Sequence, residues 1–132
     1  MKNGEILKLY EVLSEIANDP NQKFNIKISY TFAKNREKIK SEAILIFKTR
    51  QNILLEYGKQ EENGDIVIPR DKLDEVNNKI NELMDLESSL QIDQLCLTDL
   101  EGYELGMEQV SALMPMLYEP LMTSPPIFDN IN

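Results

Sequence analysis

The stretch EYGKQEENGDIVIPRDKL, Glu56 to Leu73, separates two segments whose apolar residues recur at helical intervals. Gly58 can end the first helix, Pro69 stands where the second begins, and Asp71 and Asp74 fall in its first turn, where negative charge complements exposed backbone amides. Between them, Asn63-Gly64 has the chemistry of a two-residue type I′ turn, in which both positions take positive φ. KQEE and DIVIP would be its paired strands. A two-stranded hairpin is marginal in water, so Ile66, Val67 and Ile68 must pack on the helix ends or on a partner. A short connection of this kind reverses the chain and makes the flanking helices antiparallel.

The upstream segment carries Phe32, Ile39, Ile46 and Ile53 at seven-residue spacing, with Ala43 and Tyr57 as companions. That is a coiled-coil-like seam. Its beginning, FNIKISY, fits either a strand or the start of a helix, and helix is expected from about Ser29 onward, giving a rod on the order of 40 Å long. Ile44, Leu45, Phe47, Leu54 and Leu55 widen its apolar surface, so more than one neighbour must cover it. The downstream segment repeats the pattern in Leu73, Val76, Ile80, Leu83 and Leu90.

Further out, Ile6, Leu9, Leu13 and Ile16 predict an amphipathic first helix, with Asn3 as its N-cap and Pro20 ending it by restricting Asp19. After Ser89 the periodicity weakens. Ile92, Leu95, Leu97 and Leu100 suggest a short strand or helical turn, and Met107 to Leu117 a last helix bent at Pro115. The end gathers Met114, Met116, Met122, Tyr118 and Phe128 among Pro120, Pro125 and Pro126, as an extended segment docked on the second helix or on another protein would. The expected fold is mainly α. It is one domain over 1–132, an antiparallel helical hairpin with a coiled-coil-like seam, a small β-hairpin at the connection, flanking N- and C-terminal helices and a docked or partly flexible tail over 118–132.

Composition restricts the chemistry. There is no histidine and one cysteine, so the commonest proton shuttle and metal ligand is missing and an internal disulfide is excluded. Cys96, between Leu95 and Leu97, reads as a small buried residue. None of the five glycines belongs to a phosphate-binding loop. Acidic pairs such as Glu61-Glu62, Asp74-Glu75 and Asp99 with Glu101 lack the spacing of a calcium loop and read as solvated faces. The expectation is a protein that is not an enzyme and uses no cofactor or metal.

The net charge of −9 is unevenly spread: Asn21 to Lys59 holds nine Lys or Arg against three acids, and Gln60 to Asn132 three against sixteen. A basic helix can neutralise nucleic-acid phosphates. Here Asp74, Glu75, Glu82 and Glu87 on the third helix are expected to use that charge internally, leaving an acidic exterior and no direct nucleic-acid partner. No apolar run approaches the roughly 20 residues that cross a bilayer, and Met1 to Tyr10 lacks a signal h-region. A cytoplasmic protein without membrane contact is expected.

The order EILKLYEVLSEIAN, ISYTFAKNREKI, ILLEYGKQEENGDIVIP, LMDLESSLQID and MEQVSALMPML resembles a family of small uncharacterised proteins encoded by phages and prophages of Gram-positive bacteria, over most of residues 4 to 117. The resemblance implies a phage accessory protein in the host cytoplasm and brings no active-site residues. The helix, β-turn, helix shape is also similar to prefoldin-like hairpins, in architecture alone. The functional expectation is a binding protein that modulates or inhibits a host protein, a defence nuclease of the CRISPR type being one target. The alternative is a virion or tail component or an assembly chaperone. The expected contacts are Ile66, Val67 and Ile68 at the hairpin and Met116, Tyr118, Met122 and Phe128 in the tail, apolar residues in segments poorly able to bury them. A second copy could equally cover the second helix, making a homodimer.

Overall fold

The computed structural model describes residues 1–120. Four helices carry the fold: α1 Asn3–Asn18, α2 Ile26–Tyr57, α3 Leu73–Asp85 and α4 Met107–Leu113. β1 Lys59–Gln60 and β2 Ile66–Val67 pair antiparallel, and β3 Leu95–Cys96 and β4 Leu117–Tyr118 pair parallel. The architecture is mainly helical, built on a helical hairpin, as the periodicity predicts.

α1 turns its spaced apolar residues, Ile6, Leu9, Leu13 and Ile16, into the core. Its N-cap is Lys2, and the Glu5 carboxylate accepts from the Lys2 backbone amide at 2.8 Å. Asn3, expected to be the cap, is the first helical residue instead and donates through Nδ2 to the Leu83 carbonyl at 3.0 Å. Two further bonds, Asn3 N to Leu86 O at 3.0 Å and Ser88 N to Met1 O at 2.9 Å, tie the start of α1 to the end of α3. At the other end Asp19 is extended, as a residue before proline should be, and its side chain caps the turn by accepting from Asn21 N at 2.9 Å.

α2 is 32 residues long, about 48 Å at about 1.5 Å per residue. It starts at Ile26, because Asn25 caps it by accepting from Ile28 N at 3.0 Å; the alternating FNIKISY is therefore helical. Ile28, Phe32, Ile39, Ala43 and Ile46 are buried, whereas Ile53 and Tyr57 farther along the same seam are half-buried. α1 covers the lower part: Arg36 donates to Ser14 Oγ at 3.0 Å and stacks 5.7 Å from the Tyr10 ring. α3 runs antiparallel to α2. Tyr57 donates to Glu75 at 3.1 Å, Lys79 pairs with Glu56 at 3.8 Å and Ser88 donates to Glu42 at 3.4 Å, so rising numbers on one helix meet falling numbers on the other.

The remaining wall of the core comes from the C-terminal half. After α3 the chain is extended to β3, passes through a 3-10 turn at Leu97–Leu100, and reaches α4, which ends in a second 3-10 turn at Met114–Met116. Pro115 cannot continue α4, and the tighter turn it enters carries Met116 into the core beside Leu95, Leu100 and Leu113. Burying such a side chain contributes about 1.5–3 kcal/mol. Phe24 bridges Phe32 and Tyr103 at ring separations of 5.2 and 4.9 Å, closing the base of the bundle.

Candidate protein-interaction surface

The start of α1 meets the end of α3, Asn3 bonding Leu83 and Leu86, so the two helices cover successive stretches of α2: the base packs α1 with α2 and α4, and the far part has two helices. From Phe47 to Tyr57, about 16 Å of helix, α2 has α3 alone beside it among the described helices. A pair of helices has too little interior to hide its own apolar residues. In α3 only Val76 is buried. Among the described residues, four of the twelve exposed large apolar side chains lie on this arm, Phe47, Leu55, Val67 and Leu73, while Ile44, Leu45 and Leu86 sit at its root. Leu45 is 61% exposed and Phe47 45%, the latter beneath the Arg50 guanidinium at 5.1 Å. The extra apolar residues of α2, expected to be covered by neighbours, stay in part uncovered: Ile44 and Leu45 at the level of the start of α1, Phe47 and Leu55 beyond it.

The tip of the arm is a tight hairpin whose geometry differs from the expected one. Gly64 alone has positive φ, +92°, and Asn63 does not, so a type I′ turn is ruled out. Gly64 N donates to Glu61 O at 2.9 Å and Glu61 N to Asp65 O at 2.7 Å, enclosing the three-residue loop Glu62-Asn63-Gly64 with Gly64 as the left-handed bulge position. Asn63 works through its side chain, accepting from Asp65 N at 3.1 Å. Gly58 is also needed for a reason other than positive φ. A Cβ there would stand 2.6 Å from both Ile68 Cδ1 and the Val67 carbonyl oxygen, so the hairpin folds directly onto this glycine.

The expected contact residues are thereby sorted. Ile66 and Ile68 face Gly58 and are half-buried, while Val67 points away, 53% exposed, in a tip that carries Glu61, Glu62 and Asp65. Met116 is fully buried, its sulfur accepting from Asn35 Nδ2 at 3.6 Å, and it is withdrawn from the contact set. Tyr118 is half-exposed on β4, beside Cys96 and at the opposite end of the molecule from the hairpin. Met122 and Phe128 lie outside the described residues. The sequence-based set is therefore not one surface. Phe47, Leu55 and Leu73 join Val67 on the arm, with Ile44 and Leu45 at its root; their excess over the seam was visible in the sequence, but which of them stay exposed was not.

The basic charge of α2 is only partly used within the fold, and by different acids from those expected. Lys34 and Lys38 clamp Asp93 at 2.9 and 2.8 Å, and Lys27 meets Asp99 at 3.3 Å, all in the C-terminal half rather than in α3. The Asp93 carboxyl is held below the usual carboxylate value, by the hydrogen bond from Lys38 first and that from Lys34 second. Among the described residues, Lys40, Lys48 and Arg50 make no ion pair, nor do Asp71 and Asp74 across the arm.

A concavity lies at the base, between α1, the Asp19–Phe24 connection and the start of α4, with Glu11, Glu15, Glu104 and Glu108 on its walls. Gln22 and Gln109 span it through reciprocal amide bonds of 3.0 and 3.1 Å. Their donors and acceptors satisfy each other, which makes this a strut between segments. Among the described residues, no three His, Cys, Asp or Glu side chains converge as metal ligands would, and no helix is long and apolar enough to cross a membrane. Comparison with protein-family models, with curated proteins and with solved structures gives no match in any of the three.

Proposed function

We propose that the protein is a non-enzymatic binding protein that acts by stoichiometric contact with another protein through its helical arm. One observation carries this reading: a two-helix projection presents Phe47, Leu55, Val67 and Leu73 exposed to solvent. Exposed apolar groups concentrated on one element mark a contact surface, and a rigid helical projection offers them without a large ordering cost. Acidic groups at the tip, Glu61, Glu62 and Asp65, would orient the arm toward a basic patch on the partner and speed encounter more than they tighten binding. The resemblance to phage and prophage proteins supports a host protein as that partner, with modulation or inhibition as the outcome; a CRISPR-type defence nuclease is the target class to assay first.

The test is retention of proteins from host lysate and from phage-infected lysate on the immobilised full chain, identified by mass spectrometry. One host enzyme retained in near-equimolar amount, with its activity altered on addition of the pure protein, is the expected result. Retention of capsid or tail proteins alone would instead make the chain a virion or assembly component. Retention of nothing by the folded protein would contradict the binding reading.

A further inference from the structure

The chain reaches Pro120 at the edge of an apolar hollow. Leu97 and Leu100 on the 3-10 turn, Tyr103 and Leu105 on the loop after it, and Val110 on α4 wall a volume of about 640 Å³. Leu100 is buried and the other four are half-buried, so the fold leaves apolar surface incompletely covered there. Its size is that of a site for a small ligand or a few side chains. Glu119 and Pro120 also line it. β4 brings them there: Leu117 pairs with Leu95 and Tyr118 with Cys96, directly ahead of the 3-10 turn, and Pro120 disfavours helical conformation at Glu119. Residue 121 therefore follows at the mouth of the hollow, with no linker to span.

The chemistry of the next eight residues suits such a site. LMTSPPIF, 121–128, supplies Leu121, Met122, Ile127 and Phe128 and carries no charged side chain, and Pro125 and Pro126 restrict the backbone in advance, which lowers the entropy cost of docking. The charged residues of the hollow, Glu101 and Glu119, are both acidic, so they oppose an anionic occupant but not a neutral one. Tethering then decides between this segment and a foreign one. A segment attached at the rim has an effective concentration on the order of 1 mM, so a free peptide at about 1 μM must bind roughly a thousandfold better to displace it. We propose that the hollow is a peptide site filled by the chain's own segment 121–128, its apolar side chains set against Leu97, Leu105 and Val110. Met122 and Phe128 are then internal contacts, and another protein reaches the site only by displacing the tail.

Methyl NMR on the full chain tests this. Nuclear Overhauser effects should join the Leu97, Leu105 and Val110 methyls to Met122 and Phe128. Met122→Asp should abolish those of the tail and shift the Val110 methyl signals, while Ile6 and Leu9, fully buried in the core, keep theirs. A tail without effects to the hollow would overturn the proposal, as would effects to the outer face of α2 instead. A sample of mixed labelled and unlabelled chains adds a further check: effects between molecules would place the tail in a second copy and overturn docking within one chain. The arm takes no part in this contact, so partner retention through Val67 succeeds or fails separately.

Discussion

Asn35 and Asp93 exchange two hydrogen bonds across the core, Asn35 Nδ2 donating to the Asp93 carbonyl at 2.8 Å and Asp93 N donating to Asn35 Oδ1 at 2.8 Å. Asn35 is fully buried in the α2 face that also buries Phe32 and Ile39, so an amide side chain there takes the place of a neighbouring strand for the passing backbone. The chain after α3 has no helix to satisfy its amides at this point, and the bidentate contact does so while fixing the level at which β3 begins. The second amide proton of Asn35 is directed at Met116 Sδ, so the same residue also positions the end of the C-terminal half. Asn35→Ala should destabilise the protein by about 2–4 kcal/mol, because two backbone groups lose their partners and a void opens beside Met116. Urea unfolding measures it. Asn35→Asp should be worse, since it removes the donor and buries a charge.

The same Asp93 makes stability depend on pH through its side chain. Its folded value lies below the unfolded value of about 3.9, so its stabilising contribution is complete above that pH and is lost as the pH falls through the folded value. Lys34 is raised, by its hydrogen bond to Asp93 first, so its share is complete below about 10.4 and is lost as the pH rises through the folded value. Stability contributed by this cluster should therefore be flat across neutral pH. Asp93→Asn should keep the backbone contacts with Asn35 and flatten the acid limb of a plot of urea midpoint against pH below about 4. An acid limb identical to that of the natural protein would show that the clamp contributes nothing.

Gly58→Ala and Gly64→Ala should both destabilise, for different reasons. At Gly58 the added methyl meets the Val67 carbonyl oxygen, backbone that can move only with the whole hairpin, and overpacking of this kind costs about 1–3 kcal/mol. At Gly64 there is open space, and the cost is the positive φ alone, about 1 kcal/mol. Gly64→Asn should recover part of that loss, because asparagine tolerates the left-handed region, while Gly58→Asn should recover none. Thermal melts of the four variants separate the two causes.

Met116 and Val67 should behave oppositely despite having read alike in the sequence. Met116→Ala removes a fully buried side chain and should cost about 2–5 kcal/mol. Val67→Asp replaces an exposed side chain and should change stability by under about 1 kcal/mol while weakening partner retention.

That contrast marks where sequence periodicity stops being informative. The helices, the reversal at Asn63-Gly64 and the bend at Pro115 were legible because each follows from local chemistry: apolar spacing, a glycine at positive φ, a missing amide. The type of turn was not, since I′ and a three-residue loop with a bulge both accept Asn-Gly and differ in hydrogen bonding across the strands. Asn35 was also hidden. Nothing in the sequence separates it from Asn52 or Asn77, which sit in similar helical stretches and are exposed; what distinguishes it is the passage of residues from another part of the chain. The exposed arm lies between these cases. Its surplus of apolar residues could be counted in advance, but which of them stay uncovered depends on which face of α2 the other helices take.

Whether the arm is the contact surface is decided by partner retention on the full chain with and without Val67→Asp and Leu55→Asp combined. Both side chains are exposed, so circular dichroism and the urea midpoint should remain close to those of the natural protein. Retention of the partner should fall by roughly tenfold or more, with the fold intact. Undiminished retention by the folded double variant would contradict it and move the contact to another face, beginning with Tyr118 at the opposite end.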